Sequence, residues 1–397
     1  MTSKYINAKS VAFVAVAAVA ASATVFTPSC GSSAVGGYTA KVTYGGSGSF
    51  WKATLDPTVA YGSRSTNGAF EITHSDSITS TAALATFKGY FERLDSGFLR
   101  LTVGECSETS TGNCPAAAEI TAGTVQAYAL DIPGYVLILK PIGSSGGDII
   151  PMVAIGACPS ADFNGAYVVM QDSNTGTPNY STEGLVGTVA FTASNSSIAV
   201  NASTYTAAGG AGSGSSANTM TVTCSEGLGS VSGAEMMFTN AGSGGAIVHT
   251  GGGTSHSQAI ILVPSVALTV SDFAGDYIGL AFDEGDNSTE SGGSTKPLSA
   301  TLVAAGTGTG AVMDDVVTGA ASTTQTANLT FANLSTPVNG VALMTISGGG
   351  PTQSRVCVAS KNVASSGQNV IFCSGPGMSG GAVSSAKQAS YLLVSKP

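Results

Sequence analysis

The string GPGMSGGAV at 375–383 sets Ser379 among glycines, a setting that can hold a serine hydroxyl exposed for attack on a carbonyl. Such a nucleophile needs an imidazole to take its proton and a carboxylate to orient that imidazole. The chain has three histidines, His74, His249 and His256. His74 stands two residues before Asp76; the pair alone makes no catalytic dyad and reads as part of an exposed loop or strand edge. Ser379-Gly380-Gly381-Ala382 recurs as Ser243-Gly244-Gly245-Ala246, so the string reads as a glycine turn shared by two segments. His249 and His256 bracket TGGGTS, where a hairpin would bring two imidazoles toward one metal. A zinc site requires a further ligand and a hydrogen-bond partner for each ring, and the sequence identifies none. Both read as polar hairpin residues, and the expectation is no catalytic set, no metal and no cofactor.

Two other groups invite chemistry. FDEGDNSTES at 282–291 gathers Asp283, Glu284, Asp286, Asn287 and Glu290, the hard oxygen ligands that calcium prefers, without the spacing of an EF-hand loop. It reads as a solvated loop, and Asp314-Asp315 as an acidic turn. Trp51, the chain's one tryptophan, lies near Phe50 and Tyr61 and offers either a stacking face for a sugar ring or a core anchor. The Asn-x-Ser/Thr triplets at Asn179, Asn195, Asn201, Asn287, Asn328 and Asn333 follow from a chain rich in Ser and Thr and carry no functional weight.

Three short resemblances attach to these residues. Gly-x-Ser-Gly-Gly resembles the nucleophile loop of trypsin-like serine proteases, which implies Ser379 as nucleophile; few residues follow it, and no histidine lies in an Ala-Ala-His-Cys context. TPSCGSS at 27–33 resembles a bacterial lipoprotein junction and implies lipidation of Cys30, with Thr27 where an apolar residue is usual. Gly165-x-Tyr167 and Gly275-x-Tyr277 resemble the opening of small lipocalin-like barrels.

Composition bounds the rest. Only 9% of residues are charged, 43% are hydrophobic and 53 are Gly, so Ser, Thr, Asn, Gly and Ala must cover most of the surface. The formal charge is −9 and no cluster of Lys or Arg occurs, which excludes a nucleic-acid partner that would need a concentrated basic patch. Lys4 and Lys9 followed by an apolar stretch from Val11 to Phe26 form an export signal, too short for a membrane span. Cleavage after Ala21-Ser22-Ala23 would release a soluble product, and cleavage before Cys30 a lipid-anchored one. Seven cysteines leave one over after three pairs. If Cys30 carries lipid, Cys106 pairs with Cys114, Cys158 with Cys224 and Cys357 with Cys373. The alternative joins Cys30 to Cys106 and leaves Cys114 odd.

The phrase Asp162-Phe163-x-Gly165-x-Tyr167 returns as Asp272-Phe273-x-Gly275-x-Tyr277, with a worn copy at Gly37-Tyr38. Aliphatic runs introduced by Gln-Ala stop at Pro141, Pro264 and Pro397, and Cys106, Cys224 and Cys357 precede them. Three landmarks in one order predict tandem domains. Short β-branched runs bounded by Gly, Ser, Asn and Asp predict strands. The expected architecture is all-β: three tandem antiparallel β-domains, small barrels or two-sheet sandwiches, after an N-terminal export signal. The boundaries are 1–30 for the signal, 31–142 for domain 1, 143–157 for a linker permitting hinge motion or supplying an extra strand, 158–265 for domain 2 and 266–397 for domain 3. Phe163, Phe273, Tyr167 and Tyr277 are read as core anchors.

The expected function is a non-enzymatic exported envelope or cell-surface protein, a tandem β-domain binding or adhesion module tethered through Cys30 to a membrane, with a glycan or protein ligand. A structural subunit of an extracellular layer or filament, self-assembling through exposed edge strands, is the alternative of a different class, and a secreted hydrolase the third.

Overall fold

The computed structural model describes residues 38–46, 50–76, 82–109, 112, 114–142, 149–156, 158–171, 183–206, 211–231, 234–238, 246–250, 258–264, 269–283, 294–333, 340–348, 351–363, 367–379 and 382–396. The first unit runs β1 (Val42–Gly46), β2 (Phe50–Tyr61), β3 (Arg64–Ser75), β4 (Ala85–Arg93), β5 (Leu99–Glu108), β6 (Gln126–Ile132), β7 (Val136–Pro141) and β8 (Ile150–Ala154). It closes into a barrel through pairing of β1 with β8. A short helix, α1 (Ala117–Ala122), lies between β5 and β6, and its Ile120 packs on the barrel core. The middle unit contains β9 (Phe163–Gln171), β10 (Glu183–Thr192), β11 (Ser197–Thr206), β12 (Ala211–Thr221), β13 (Thr223–Ser225), β14 (Leu228–Val231), β15 (Ala234–Phe238), β16 (Ala246–Thr250) and β17 (Gln258–Pro264). The last is a second closed barrel: β18 (Gly275–Asp283), β19 (Ser294–Leu302), β20 (Thr307–Asp315), β21 (Ala320–Asn333), β22 (Val341–Ser347), β23 (Gln353–Val363), β24 (Gln368–Ser379) and β25 (Ala382–Ser395).

The middle unit is a nine-stranded sheet whose end strands are β12 and β13. Val222 alone separates them in the chain, so they are two halves of one broken strand. Val222 donates its N–H to Ser196 O at 2.7 Å and buries its side chain. With β17 paired to β9, neighbouring strands run antiparallel across a sheet whose two end strands meet through the chain at Val222. Closure removes the unpaired strand edges that would template assembly.

Several strands are apolar on both faces. In β7, Leu137 and Leu139 belong to the interior of the first barrel, while Val136 and Ile138 point outward into a cluster shared by all three units. In the last barrel Ile371 and Leu393 face inward, and Val370, Phe372, Leu392 and Val394 face outward into that cluster. Ala166, Val168 and Met237 join it from the middle unit. Strands covered on both faces read as continuous hydrophobic runs, which is why YVLILK and SYLLV do not alternate. At about 1.5–3 kcal/mol per fully buried aliphatic side chain, this shared face binds the barrels into one body. Gly97 (φ +100°) and Gly319 (φ +76°) sit where the first and last barrels meet, and a Cβ on Gly319 would come 3.0 Å from the Cα of Ser96.

The segment 143–157, expected as a linker permitting hinge motion or supplying an extra strand, contains a strand in its described part. Ile150–Ala154 is the eighth strand of the first barrel, and Met152 is wholly buried, so that barrel extends past 142. The repeat landmarks also shift. Pro141 ends a seventh strand, whereas Pro264 ends the closing strand of its unit; Cys106, Cys224 and Cys357 lie on β5, β13 and β23, at different places in their units. The disulfides are Cys106–Cys114, Cys158–Cys224 and Cys357–Cys373. Pairing of Cys106 with Cys114 excludes the Cys30–Cys106 alternative; Cys30 itself, like the export signal, lies outside the described residues.

Candidate functional site

Among the described residues three places are candidate sites, and the first is the end of barrel 1 formed by β2, β3 and β4. Trp51 and His74 are cross-strand partners facing inward, their rings stacked 4.2 Å apart at 16°. Both are about 5% exposed, so the indole presents no face to a sugar and the expected exposure of His74 is corrected. Burial lowers the His74 pKa from its ordinary 6.5, with Asp76 opposing. Phe50 is also buried, on the outer side against the shared cluster, and Tyr61 lies over Gly104 near Tyr90. Beside the stack the barrel leaves an apolar cavity of about 20 Å³, lined by Trp51, Phe70, Phe87, Leu101 and Leu139. That is the scale of a single water molecule. Among the described residues the interior of this barrel is filled by apolar side chains.

The opposite end carries a buried ion pair. Arg93 at the end of β4 donates from Nη1 to Asp131 Oδ1 at 2.7 Å, from Nη2 to Oδ2 at 3.0 Å, and from Nη1 to the carbonyl of Gly97 at 2.7 Å. The Asp131 side chain is wholly buried. Burial pushes its carboxyl above the usual carboxylate range, with the Arg93 charge and the Tyr38 hydroxyl opposing. The Tyr38 and Tyr44 hydroxyls lie 2.8 Å apart, and Tyr44 accepts the N–H of Gly134 at 3.1 Å. Burial raises both phenols. Tyr38 packs edge-on against Phe91 of β4 at 5.4 Å, as Phe273 packs against Phe331 of β21 at 5.4 Å, the fourth strand in each barrel. Phe273 is thus the counterpart of Tyr38, and Tyr277, whose hydroxyl donates to Phe273 O at 2.8 Å, that of Tyr44. The worn first copy is aligned by Tyr44, and Tyr38 fills the place of the phenylalanine. The arrangement plugs the barrel end; it presents no open site.

The third place is a groove of about 510 Å³ on the outside of barrel 3. Cross-strand registers set Thr301, Thr309 and Asn328 in one row and Ser299, Ala311 and Thr326 in the next. All point away from the interior, which takes Leu298, Ala300, Leu302 and Leu329. Between Thr326 and Ala321, β21 carries extra residues opposite Val312, a wide bulge. Ser322 folds that bulge by accepting the N–H groups of Thr324 and Gln325 at 3.4 and 3.3 Å. Thr324 then stands as a wall above the sheet, with the turn at Gly348 among the other lining residues.

Among the described residues the other candidates are not assembled into a site. Ser379 ends β24 in register with Ala382 of β25, and Gly380 and Gly381 lie outside the described residues. His249 lies on β16 opposite Glu235 and Ala259, while His256 is outside the described residues. Asp283 ends β18; Glu284, Asp286, Asn287 and Glu290 are outside the described residues. Asp315 caps its turn, accepting from Val317 N and Thr318 Oγ1 at 2.8 Å, bonds that lower its pKa. Sequence reasoning missed the Arg93–Asp131 pair, because nothing in YFERLDSG marks a charge as buried. It also missed the groove, whose available signal was the Ser/Thr alternation of STKPLSATL, TGTGAV and TANLTF.

No protein-family model matches the chain, and no curated protein matches it. Among solved structures it is similar to a point mutant of the vaccine antigen Transferrin Binding Protein B from Haemophilus parasuis Hp5, at 8% identity and a TM-score of 0.25, over 87% of this chain and 65% of that one. A double mutant of the same antigen matches at 9% identity and a TM-score of 0.24, over 90% of this chain and 76% of that one.

Proposed function

We propose that this is an exported, non-enzymatic surface protein that recognises its ligand on the outer faces of a fused body of two closed barrels and a nine-stranded sheet, tethered through a lipid on Cys30. The observation that carries the reading is the combination of a packed barrel interior with barrels joined back to back through apolar outer strand faces. A body built in this way offers a ligand its remaining outer faces and its loops. The export signal and the disulfides support an oxidising compartment. Intact-mass spectrometry of the native protein from membrane and soluble fractions, with and without reduction, tests it. The expected species begins at Cys30, carries a diacylglyceryl group and contains three disulfides. A chain retaining residues 1–29, with reduced cysteines and confined to the cytoplasm, overturns it.

A further inference from the structure

We infer that the groove on the outer face of β19, β20 and β21 binds a neutral oligosaccharide; this deepens, and rests on, the reading of the chain as a surface binding protein. The groove's volume of about 510 Å³ falls inside the ~300–1,000 Å³ typical of ligand sites. Its side-chain functional groups are hydroxyls and one carboxamide, those of Ser299, Thr301, Thr309, Thr324, Thr326 and Asn328, above a floor of Ala and Gly backbone. A hydroxyl both donates and accepts, and a carboxamide does each with a different atom. A surface of such groups matches a ligand whose own groups do both, which is the chemistry of sugar hydroxyls.

The competing ligand classes fit less well. No lining residue carries a charge, and the nearest carboxylate, Asp276, accepts the Thr301 hydroxyl at 2.6 Å, so a polyanion would meet repulsion in place of cations. An extended peptide that adds a strand needs an open sheet edge; β19 and β20 are paired on both sides and β21 is paired with β22 over Asn328–Asn333, so a strand could add only beside the remaining half of β21, next to the hydroxyl rows and not across them. An aliphatic ligand would desolvate the hydroxyl rows without replacing their hydrogen bonds to water. With no aromatic platform among the lining residues, each sugar ring contributes hydrogen bonds alone. Affinity must then grow with chain length across the two rows.

The test is titration of the intact protein with neutral hexasaccharides of glucose, N-acetylglucosamine and mannose, by calorimetry and by NMR of Thr methyl groups. The expected result is binding of one of these, weaker by at least tenfold for its disaccharide. Ala311→Trp, which fills the groove from an outward position, should abolish binding while Trp51-independent circular dichroism and thermal unfolding stay unchanged. Asn328→Ala should weaken it several-fold with the fold retained. The inference is overturned if no hexasaccharide binds, or if binding survives Ala311→Trp in a folded protein. In either case a lipid-anchored, disulfide-bonded chain at the cell surface would leave the broader reading standing, whereas a reduced cytoplasmic chain would remove both.

Discussion

Replacing Arg93 by Met keeps most of the stem volume and removes the one cation hydrogen-bonded to Asp131. The carboxylate has no solvent exposure and loses bonds of 2.7 and 3.0 Å, while Gly97 O loses its donor. Breaking a buried pair in this way costs about 3–5 kcal/mol, because a charge is left uncompensated in the interior. At a urea m-value of ~1–3 kcal/mol per molar, the midpoint for this barrel should fall by at least about 1 M. The single tryptophan, Trp51, lies in barrel 1, so its fluorescence during urea titration with disulfides intact follows that barrel. Part of the loss should return in acid: burial already raises the Asp131 pKa, and without Arg93 the protonated carboxyl is favoured further. The double variant Arg93→Met with Asp131→Leu should lie near the parent or above it, since a buried pair can be exchanged for apolar packing at little net cost. A single variant within about 1 kcal/mol of the parent at pH 7, or a double variant as unstable as the single, would refute this account.

Two further outcomes are expected. The His74 pKa is depressed in the folded state, so the neutral ring's contribution is fully present above its ordinary value of 6.5 and is lost as pH falls below that value toward the folded one. His74→Phe should flatten the acid limb of the Trp51-monitored stability profile below pH 6.5, and an unchanged slope would assign that limb to carboxylates. Ile138→Asp places a carboxylate in the shared interface at a residue with no exposure; several kcal/mol of packing and desolvation should open the contact between barrels. Small-angle scattering should then report a longer particle and proteolysis new cuts between barrels, and an unaltered profile would mean that the interface does not hold the body together.

The strands were legible because their pattern is local. Runs such as GTVAFTAS and NTMTVT carry β-branched residues between turn formers, and the middle unit places β10 and β12 there. The repeated phrase was legible for the same reason: Phe273 and Tyr277 are core residues packed where the first strand of a barrel begins. The order of cysteine before proline in each segment did not carry over to the fold, because Cys106, Cys224 and Cys357 lie on β5, β13 and β23, at different places in their units. Ile150–Ala154 was hard to assign, since a five-residue strand after a glycine-rich stretch looks the same whether it spans two domains or closes one.

By itself the sequence determined the all-β class, the low content of charge and the burial of Phe273 and Tyr277, all of which follow from residue type and short-range pattern. Tertiary structure alone decided which apolar residues would meet between barrels, that His74 and Trp51 would stack out of solvent, and that Arg93 would find Asp131 across 38 positions of chain. It also decided where the outward Thr and Ser residues of three strands would align beneath a bulge into a groove. The reason is common to all of these. A period of two states that a side chain faces in or out, whereas register, closure and barrel-on-barrel packing decide what it faces.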